Sequence, residues 1–159
     1  MKVCVPVRLL SIEGDGYHLL VRIRINGKNA NVILDTGASK TVFDLKRIAG
    51  FLKAEKMTEN DRLSTGLGTA SMESQLVFLQ KISIGTFVLE NFPAVVLDLS
   101  HVNTAYHTLG LSLVDGVIGS DILEACNAVI DYGKKTLTLN PGVKKKKAGR
   151  KRMLVRKRD

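Results

Sequence analysis

The clearest pattern in the chain is an alternation of apolar and polar residues over 18–25, where every second residue from position 19 is aliphatic and arginines stand between. This period of two is typical of a β-strand with one buried face. Asn26-Gly27 follows, and both residue types tolerate the positive φ of a tight hairpin turn. Asn31–Leu34 is then predicted as the returning strand, and it leads directly into Asp35.

The rest of the chain predicts more short strands and a few helical turns. Apolar residues at helical spacing over 44–52 predict a helix with Asp44 as its N-cap, and 120–126 predict a second helix capped by Ser120. The segment 99–113 is interpreted as a loop. A mainly β fold with one or two short helices follows. Further strands are predicted at Thr41–Phe43, Leu76–Leu79, Ile82–Ile84, Phe87–Leu89, Ala94–Leu97, Ala128–Tyr132 and Thr136–Leu139.

Charge divides the chain into two parts. Residues 1–142 contain 14 basic and 14 acidic residues, whereas the ten basic residues and one acidic residue of 143–159 account for the whole net charge of +9. We therefore expect one folded domain over 1–142 and a basic, disordered tail over 143–159. Such a tail either contacts nucleic acid or another polyanion through counterion release, or simply keeps the protein in solution, and both readings remain open.

Several classes of protein are disfavoured by composition. No apolar run approaches the roughly 20 residues of a membrane span, and 1–10 lack the features of a signal peptide, so we expect a cytoplasmic protein without membrane contact. Cys4 and Cys126 are too far apart in sequence to suggest a zinc site, and we expect two reduced thiols. The body lacks a basic stripe and tryptophan, which disfavours nucleic-acid binding as its main activity.

Asp35 is the leading candidate for chemistry because it ends an apolar strand. A lone buried carboxylate costs several kcal/mol unless it is paired or protonated. The following Thr36-Gly37 offers a hydroxyl and a residue that lets the backbone turn sharply. These residues alone leave two readings open, a carboxylate that faces a cleft and an aspartate that only stabilises a turn.

Two motifs resemble those of a known family. Asp35-Thr36-Gly37-Ala38-Ser39, preceded by two apolar residues, is similar to the active-site signature of aspartic peptidases. Asp115-Gly116-Val117-Ile118-Gly119-Ser120-Asp121-Ile122-Leu123 resembles the second signature of the retropepsin-like branch. The likeness covers roughly 17–140, and in particular the chain resembles the single-domain bacterial retropepsin-like aspartyl proteases.

The resemblance implies a retropepsin-like acid-protease fold, half of a pepsin, that works as a homodimer and hydrolyses an extended peptide or protein substrate. Each subunit supplies Asp35, and the two carboxylates share a proton and activate a water. Thr36 would bond to the backbone of the partner's catalytic loop, and Gly37 would lie against the substrate main chain. Ile118 and Gly119 would support the loop from behind. Neither a metal nor an organic cofactor is implied.

The same resemblance assigns a flap and identifies a departure. Thr65, Gly66, Leu67 and Gly68 fit the hairpin that closes over bound peptide. Ala38 replaces a serine that bonds to the catalytic carboxylate in pepsin-like enzymes, so we expect activity nearer neutral pH. The competing interpretation is a dimerisation or peptide-binding module with weak turnover, which shares every prediction except efficient cleavage.

Overall fold

The computed structural model describes residues 2–52 and 74–142 of the chain. This part is mainly β, with three short helices among the described residues. The elements are β1 (Val3–Pro6), β2 (Arg8–Ser11), β3 (Tyr17–Ile25), β4 (Lys28–Leu34), β5 (Val42–Asp44), α1 (Leu45–Ile48), β6 (Gln75–Ile84), β7 (Phe87–Leu97), α2 (Ser100–Thr108), β8 (Gly116–Ile118), α3 (Ser120–Ala125), β9 (Val129–Asp131) and β10 (Thr136–Leu139).

Six strands form a closed barrel in the order β3-β4-β8-β5-β7-β6, because β6 also pairs with the end of β3. The strand β2 adds to the outer edge of β3. The parallel pair β4–β8 aligns Leu34 with Ile118, so the two sequence motifs leave the barrel side by side. Closure removes the free sheet edges that β6 and β3 would otherwise expose there.

The alternating strands fill the barrel with aliphatic side chains. Ile25, Val32, Ile82, Ile84 and Ile118 are completely buried. Each such side chain stabilises the fold by about 1.5–3 kcal/mol relative to exposure. A separate three-stranded sheet, ordered β1-β10-β9, packs against this core through side chains that include Val3, Val5, Leu137 and Leu139.

The mainly β prediction and the hairpin around Asn26-Gly27 are confirmed, with Arg22 opposite Asn31 and Ile25 opposite Lys28. Positive φ values of 49° and 85° at Asn26 and Gly27 explain why these residue types occupy the turn. The closing hairpin also forms between β9 and β10. The four strands predicted between 76 and 97 are in fact two long strands, β6 and β7, joined by a turn at Gly85.

The loop predicted over 99–113 is wrong, because α2 occupies 100–108. The stabilising contacts are tertiary: the buried side chain of Asn103 accepts a hydrogen bond from the Val114 N–H and donates one to the Val114 carbonyl. Tyr106 is also buried, and its hydroxyl lies 2.6 Å from Nδ1 of His18 on β3. The expected limit of two helices is therefore exceeded in the described residues.

One of the two predicted caps is confirmed in position. Asp44 is the N-cap residue of α1, but it makes no side-chain capping bond, because its buried carboxylate instead accepts the Leu99 N–H at 2.9 Å. The N-cap of α3 is Gly119 rather than Ser120, and it makes no side-chain capping bond. The strands β1 and β2 had no sequence prediction. Across 2–52 and 74–142, no helix is long and apolar enough to span a membrane.

Candidate active site

Asp35 lies directly after β4, at the mouth of the barrel. Its N–H donates to the carbonyl of Ile118 at 3.1 Å, which extends the β4–β8 pairing by one residue. The Gly37 N–H donates to Oδ1 of Asp35 at 2.8 Å, and the Ala38 N–H donates to the Asp35 carbonyl at 3.2 Å. A charge-assisted bond and a tight turn therefore fix the carboxylate while its side chain, like that of Thr36, stays exposed.

The second motif lies directly against this loop because it carries a glycine at the point of contact. The Ser120 N–H donates to the carbonyl of Ala38 at 2.8 Å. A Cβ atom on Gly119 would lie 2.6 Å from the Lys40 carbonyl oxygen and 2.8 Å from that of Ala38. Real Cβ atoms do not approach backbone so closely, so only glycine permits this contact between the loop and the start of α3.

A hydrogen-bonded cluster around Thr41 joins the two motifs. The buried Thr41 hydroxyl donates to Oδ1 of Asp121 at 2.7 Å and accepts the Gly119 N–H at 3.0 Å. The Thr41 N–H donates to both Asp121 carboxylate oxygens, at 2.9 and 3.0 Å. The loop that follows Asp35 is thus tied to α3 at both main-chain and side-chain level, which restricts where the Asp35 carboxylate can move.

Asp115, unlike Asp35, is a buried carboxylate that forms an ion pair. It precedes β8 and is buried, with Oδ1 2.6 Å from Nε of Arg47 and Oδ2 accepting the Asn31 N–H at 2.8 Å. Since β4 and β8 are parallel, this ion pair lies at the end of the strands away from Asp35. Asp115 is therefore structural, whereas the carboxylate of Asp35 remains open to solvent.

A stripe of apolar side chains crosses the outer face of the barrel beside Asp35. The stripe has one residue on each of five neighbouring strands, each directly opposite the next, and all five are half-buried. Because side chains alternate between faces, Asp35 continues the same face two residues beyond Ile33. The stripe consists of Ile33, Val117, Val42, Val95 and Leu76.

The structure brings most of the sequence-predicted site residues together. Asp35, Thr36, Gly37 and Ala38 form one turn, and the second motif packs on it as described. Ile118 is completely buried beneath that turn. The roles given to these residues stay predictions. The flap residues Thr65, Gly66, Leu67 and Gly68 lie outside the described residues, as does the basic tail over 143–159.

Sequence reasoning missed three features of the site. It interpreted Thr41 only as part of a strand and Asp121 only as a residue of the second motif and of the predicted helix over 120–126. It also missed the apolar stripe, although the alternation along the strands contained a signal for an outward apolar face. Over 2–52 and 74–142, no group of three or more His, Cys, Asp or Glu side chains is arranged to hold a metal ion.

Solved structures share this fold at low sequence identity. A retropepsin-like aspartic protease from Rickettsia conorii is 18% identical, with a TM-score of 0.51 over 87% of this chain and 90% of that one. The retroviral protease-like domain of Ddi1 from Leishmania major is 16% identical, with a TM-score of 0.54 over 77% and 88%. EIAV protease, solved with the inhibitor HBY-793, is 18% identical, with a TM-score of 0.50 over 77% and 99%.

A search of curated protein sequences finds no significant match. The sequence model of a protein family described as aspartyl protease, however, matches residues 21–122. That range is well over half of the chain, and it contains the first motif, the second motif up to Ile122 and the cluster that joins them. The chain therefore belongs to the aspartyl protease family, with a retropepsin-like fold.

Proposed function

We propose that the protein is an aspartic endopeptidase whose active site forms when two copies of the chain bring their Asp35 carboxylates together. The observation that carries the proposal is the state of Asp35: an exposed carboxylate, fixed by the Gly37 N–H, on a turn anchored from behind. Family membership favours peptide hydrolysis as the chemistry. That chemistry needs a pair of carboxylates, and the chain contains one Asp-Thr-Gly triplet.

The reaction follows from two carboxyl groups at close range. They cannot both ionise readily, so the pair holds one proton. The ionised member takes a proton from a water between them, and the water oxygen attacks the peptide carbonyl carbon. The protonated member donates to the developing oxyanion. Collapse of the tetrahedral intermediate breaks the C–N bond, and the carboxyl that took the water proton passes it to the leaving amine. A hydroxyl of the intermediate returns its proton to the other carboxylate, which restores the singly protonated pair.

The surroundings of Asp35 support an extended peptide as the substrate. Ile33 of the apolar stripe packs against the buried cluster of Leu20, Tyr106 and Val114. The other members of the stripe, Val117, Val42, Val95 and Leu76, give side chains of a bound peptide a place to pack. Exposed Gly37 leaves main chain accessible next to the carboxylate. We therefore expect a preference for apolar residues beside the cleaved bond.

The test is cleavage of a peptide library by the full chain, with the dimer fraction measured by sedimentation at the same concentration. Asp35→Asn keeps the shape of the side chain and should abolish cleavage while leaving folding and dimer content unchanged. Asp15→Asn is the matched control, since Asp15 is also exposed but lies in the turn between β2 and β3. No cleavage by a folded wild-type dimer would instead favour a peptide-binding module, and equal activity of both variants would exclude the Asp35 mechanism.

A further inference from the structure

A cavity opens between the start of β4 and the segment that follows α1, at the end of the barrel away from Asp35. Asn31, the β4 residue bonded to Asp115, lies four residues before Asp35, which is about 13 Å along an extended strand. The cavity is therefore separate from the candidate active site. It has a volume of about 390 Å³ and is lined by Lys28, Asn29, Lys46, Arg47, Gly50, Phe51 and Asp115.

Hydrogen bonds hold the two walls of this cavity together. Nζ of Lys28 donates to the Gly50 carbonyl at 2.5 Å. The side-chain amide of Asn26 donates to the Phe51 carbonyl at 2.9 Å. Both bonds join the hairpin of β3 and β4 to the segment after α1. Because the cavity is formed in advance, a ligand does not have to order its walls on binding.

The buried carboxylate of Asp115 fixes one cation of the cavity. Its Oδ1 lies 2.6 Å from Nε of Arg47, and its Oδ2 accepts the Asn31 N–H at 2.8 Å. The Arg47 side chain is nevertheless 38% exposed, and the two Nη atoms of a guanidinium carry four further N–H donors. Both oxygens of Asp115 are thus engaged, whereas the outer side of the guanidinium can contact a ligand.

Positive charge exceeds negative charge around the cavity. Lys28 and Lys46 are exposed and line it together with Arg47, against a single acidic residue. Arg24 adds a cation at the rim, since its Nε donates to Oδ1 of Asn29 at 3.3 Å. These cations come from two separate stretches of sequence, and only the fold brings them together.

Lys46 also lies near a carboxylate outside the lining of the cavity. Hydrogen bonds from Ser100 lower the pKa of Asp98, and the charge of Lys46 lowers it further. Oδ1 of Asp98 accepts both the N–H and the hydroxyl of Ser100. Among the described residues no close ion pair joins Asp98 to Lys46, so the ammonium group can turn toward the cavity.

Phosphate is the chemical group that this set of donors fits. A guanidinium and two ammonium groups around one space can each meet a different phosphate oxygen, and arginine can donate to two oxygens at once. The volume falls within the range of small-molecule sites, about 300–1,000 Å³. The half-buried ring of Phe51 adds an apolar wall against which the organic part of a ligand can pack.

We propose that this cavity binds a small organic phosphate, with its phosphate groups between Lys28, Lys46 and Arg47 and its organic part against Phe51. The inference goes beyond peptide cleavage, because the cavity shares no residue with the loop that carries Asp35.

The first measurement titrates the isotope-labelled full chain with inorganic pyrophosphate and follows its backbone amide resonances by NMR. Saturable shifts are expected at the N–H groups of Asn29, Gly50 and Phe51, which line the cavity. Pyrophosphate that leaves these resonances unchanged overturns the proposal.

The second measurement compares two double variants. Lys28→Gln with Lys46→Gln should raise the pyrophosphate dissociation constant, read from the cavity resonances, at least about tenfold, because two charge-assisted contacts are lost. Lys134→Gln with Lys135→Gln is the matched control, since both lysines are exposed on the turn before β10. Arg47 is kept, because its removal would leave a buried carboxylate unpaired.

Equal affinity of the two double variants also overturns the proposal. The basic residues of 143–159 attract phosphate in every variant, so their contribution cancels in this comparison. Far-UV circular dichroism identifies a variant that fails to fold, and the titration of the wild type then decides.

Adenosine diphosphate tests the apolar wall, because it carries a similar pair of phosphates and adds a flat organic part. It should bind several-fold more tightly than pyrophosphate if that part packs on Phe51. Equal or weaker binding would overturn the role given to Phe51.

Asp35→Asn separates this inference from the proposed function. The variant should bind pyrophosphate as the wild type does, since Asp35 lies at the other end of β4. Loss of phosphate binding in this variant would contradict an independent site. Absence of peptide cleavage by the wild type, with binding retained, would refute the proposed function alone.

Discussion

The hydroxyl of Thr41 donates a 2.7 Å hydrogen bond to Oδ1 of Asp121, and this contact joins residues 80 positions apart at the junction of the two motifs. The same hydroxyl oxygen accepts the Gly119 N–H. Because the bonded groups belong to the segment after the Asp35 turn, the second motif and α3, one side chain fixes three segments relative to one another.

Replacing Thr41 by valine should therefore destabilise the protein. Valine has nearly the same shape but leaves the Gly119 N–H and part of the Asp121 carboxylate without their partner, at a cost of about 1–3 kcal/mol in the free energy of unfolding. Chemical denaturation measures the change. Thr104→Val is the control, since Thr104 is exposed on α2. Equal stability of the two variants would show that the cluster contributes little.

Gly119→Ala should reduce the rate of peptide cleavage by a larger factor than it reduces the fraction of folded protein. The added Cβ cannot fit 2.6 Å from the Lys40 carbonyl, so the loop after Asp35 must move away from α3. A displacement of this kind disturbs the pairing of carboxylates that the proposed reaction needs. Gly50→Ala is the control, because its Cβ would meet the Arg47 carbonyl at an ordinary 3.4 Å. Cleavage rates that fall only in proportion to folded protein would contradict this view.

Ala38→Ser should shift the acidic limb of the pH–rate profile to lower pH. A serine hydroxyl beside Asp35 would donate a hydrogen bond to the ionised carboxylate and favour that form. The turn already places Ala38 next to Asp35, since the Ala38 N–H donates to the Asp35 carbonyl. Wild type should accordingly be active nearer neutral pH than pepsin-like enzymes. A wild-type profile confined to strongly acidic conditions would refute the expectation.

The buried thiol of Cys126 should make the free energy of unfolding depend on pH under alkaline conditions. Burial raises the pKa of its thiol from 9.0 to about 11, whereas the same thiol in the unfolded chain ionises near the lower value. Between these two pH values the unfolded state binds fewer protons, so the free energy of unfolding should fall as pH rises through that range. Burial also raises the pKa of Tyr106 above 10.0, which acts in the same direction at higher pH.

Cys126→Ala isolates the contribution of the thiol. The variant should lose part of the decline in stability that begins near pH 9, measured by denaturation at a series of pH values. Cys4→Ala should not, because Cys4 is exposed. If Cys126→Ala and wild type decline in parallel, the buried thiol is not the titrating group.

Local signals explain which parts of the fold were predictable. The hairpin at Asn26-Gly27 and the strand that delivers Asp35 depend on alternation and turn residues a few positions apart, and both form as expected. The helix α2 could not be predicted in this way, because its residues Asn103 and Tyr106 bond to Val114 and His18, which only the folded chain brings near. Poor helix formers such as Val102 and Asn103 weakened its local signal further.

The site shows the same division. The Asp35 triplet could be recognised from consecutive residues, and the bond from the Gly37 N–H to the Asp35 carboxylate is equally local. Its anchoring could not, because Asp121 reaches Thr41 through the topology of the barrel. Asp44 shows how far local signals reach: it is the N-cap residue of α1 as predicted, but its carboxylate accepts the N–H of Leu99 rather than one from the helix.

The central claim, that one active site needs Asp35 from two chains, is tested most directly by mixing wild-type protein with Asp35→Asn at constant total concentration and allowing the subunits to exchange. Only wild-type pairs hold both carboxylates, so peptide cleavage should fall with the square of the wild-type fraction, to about one quarter at equal mixing. A linear fall, to about one half, would mean that each chain acts alone and would contradict the account.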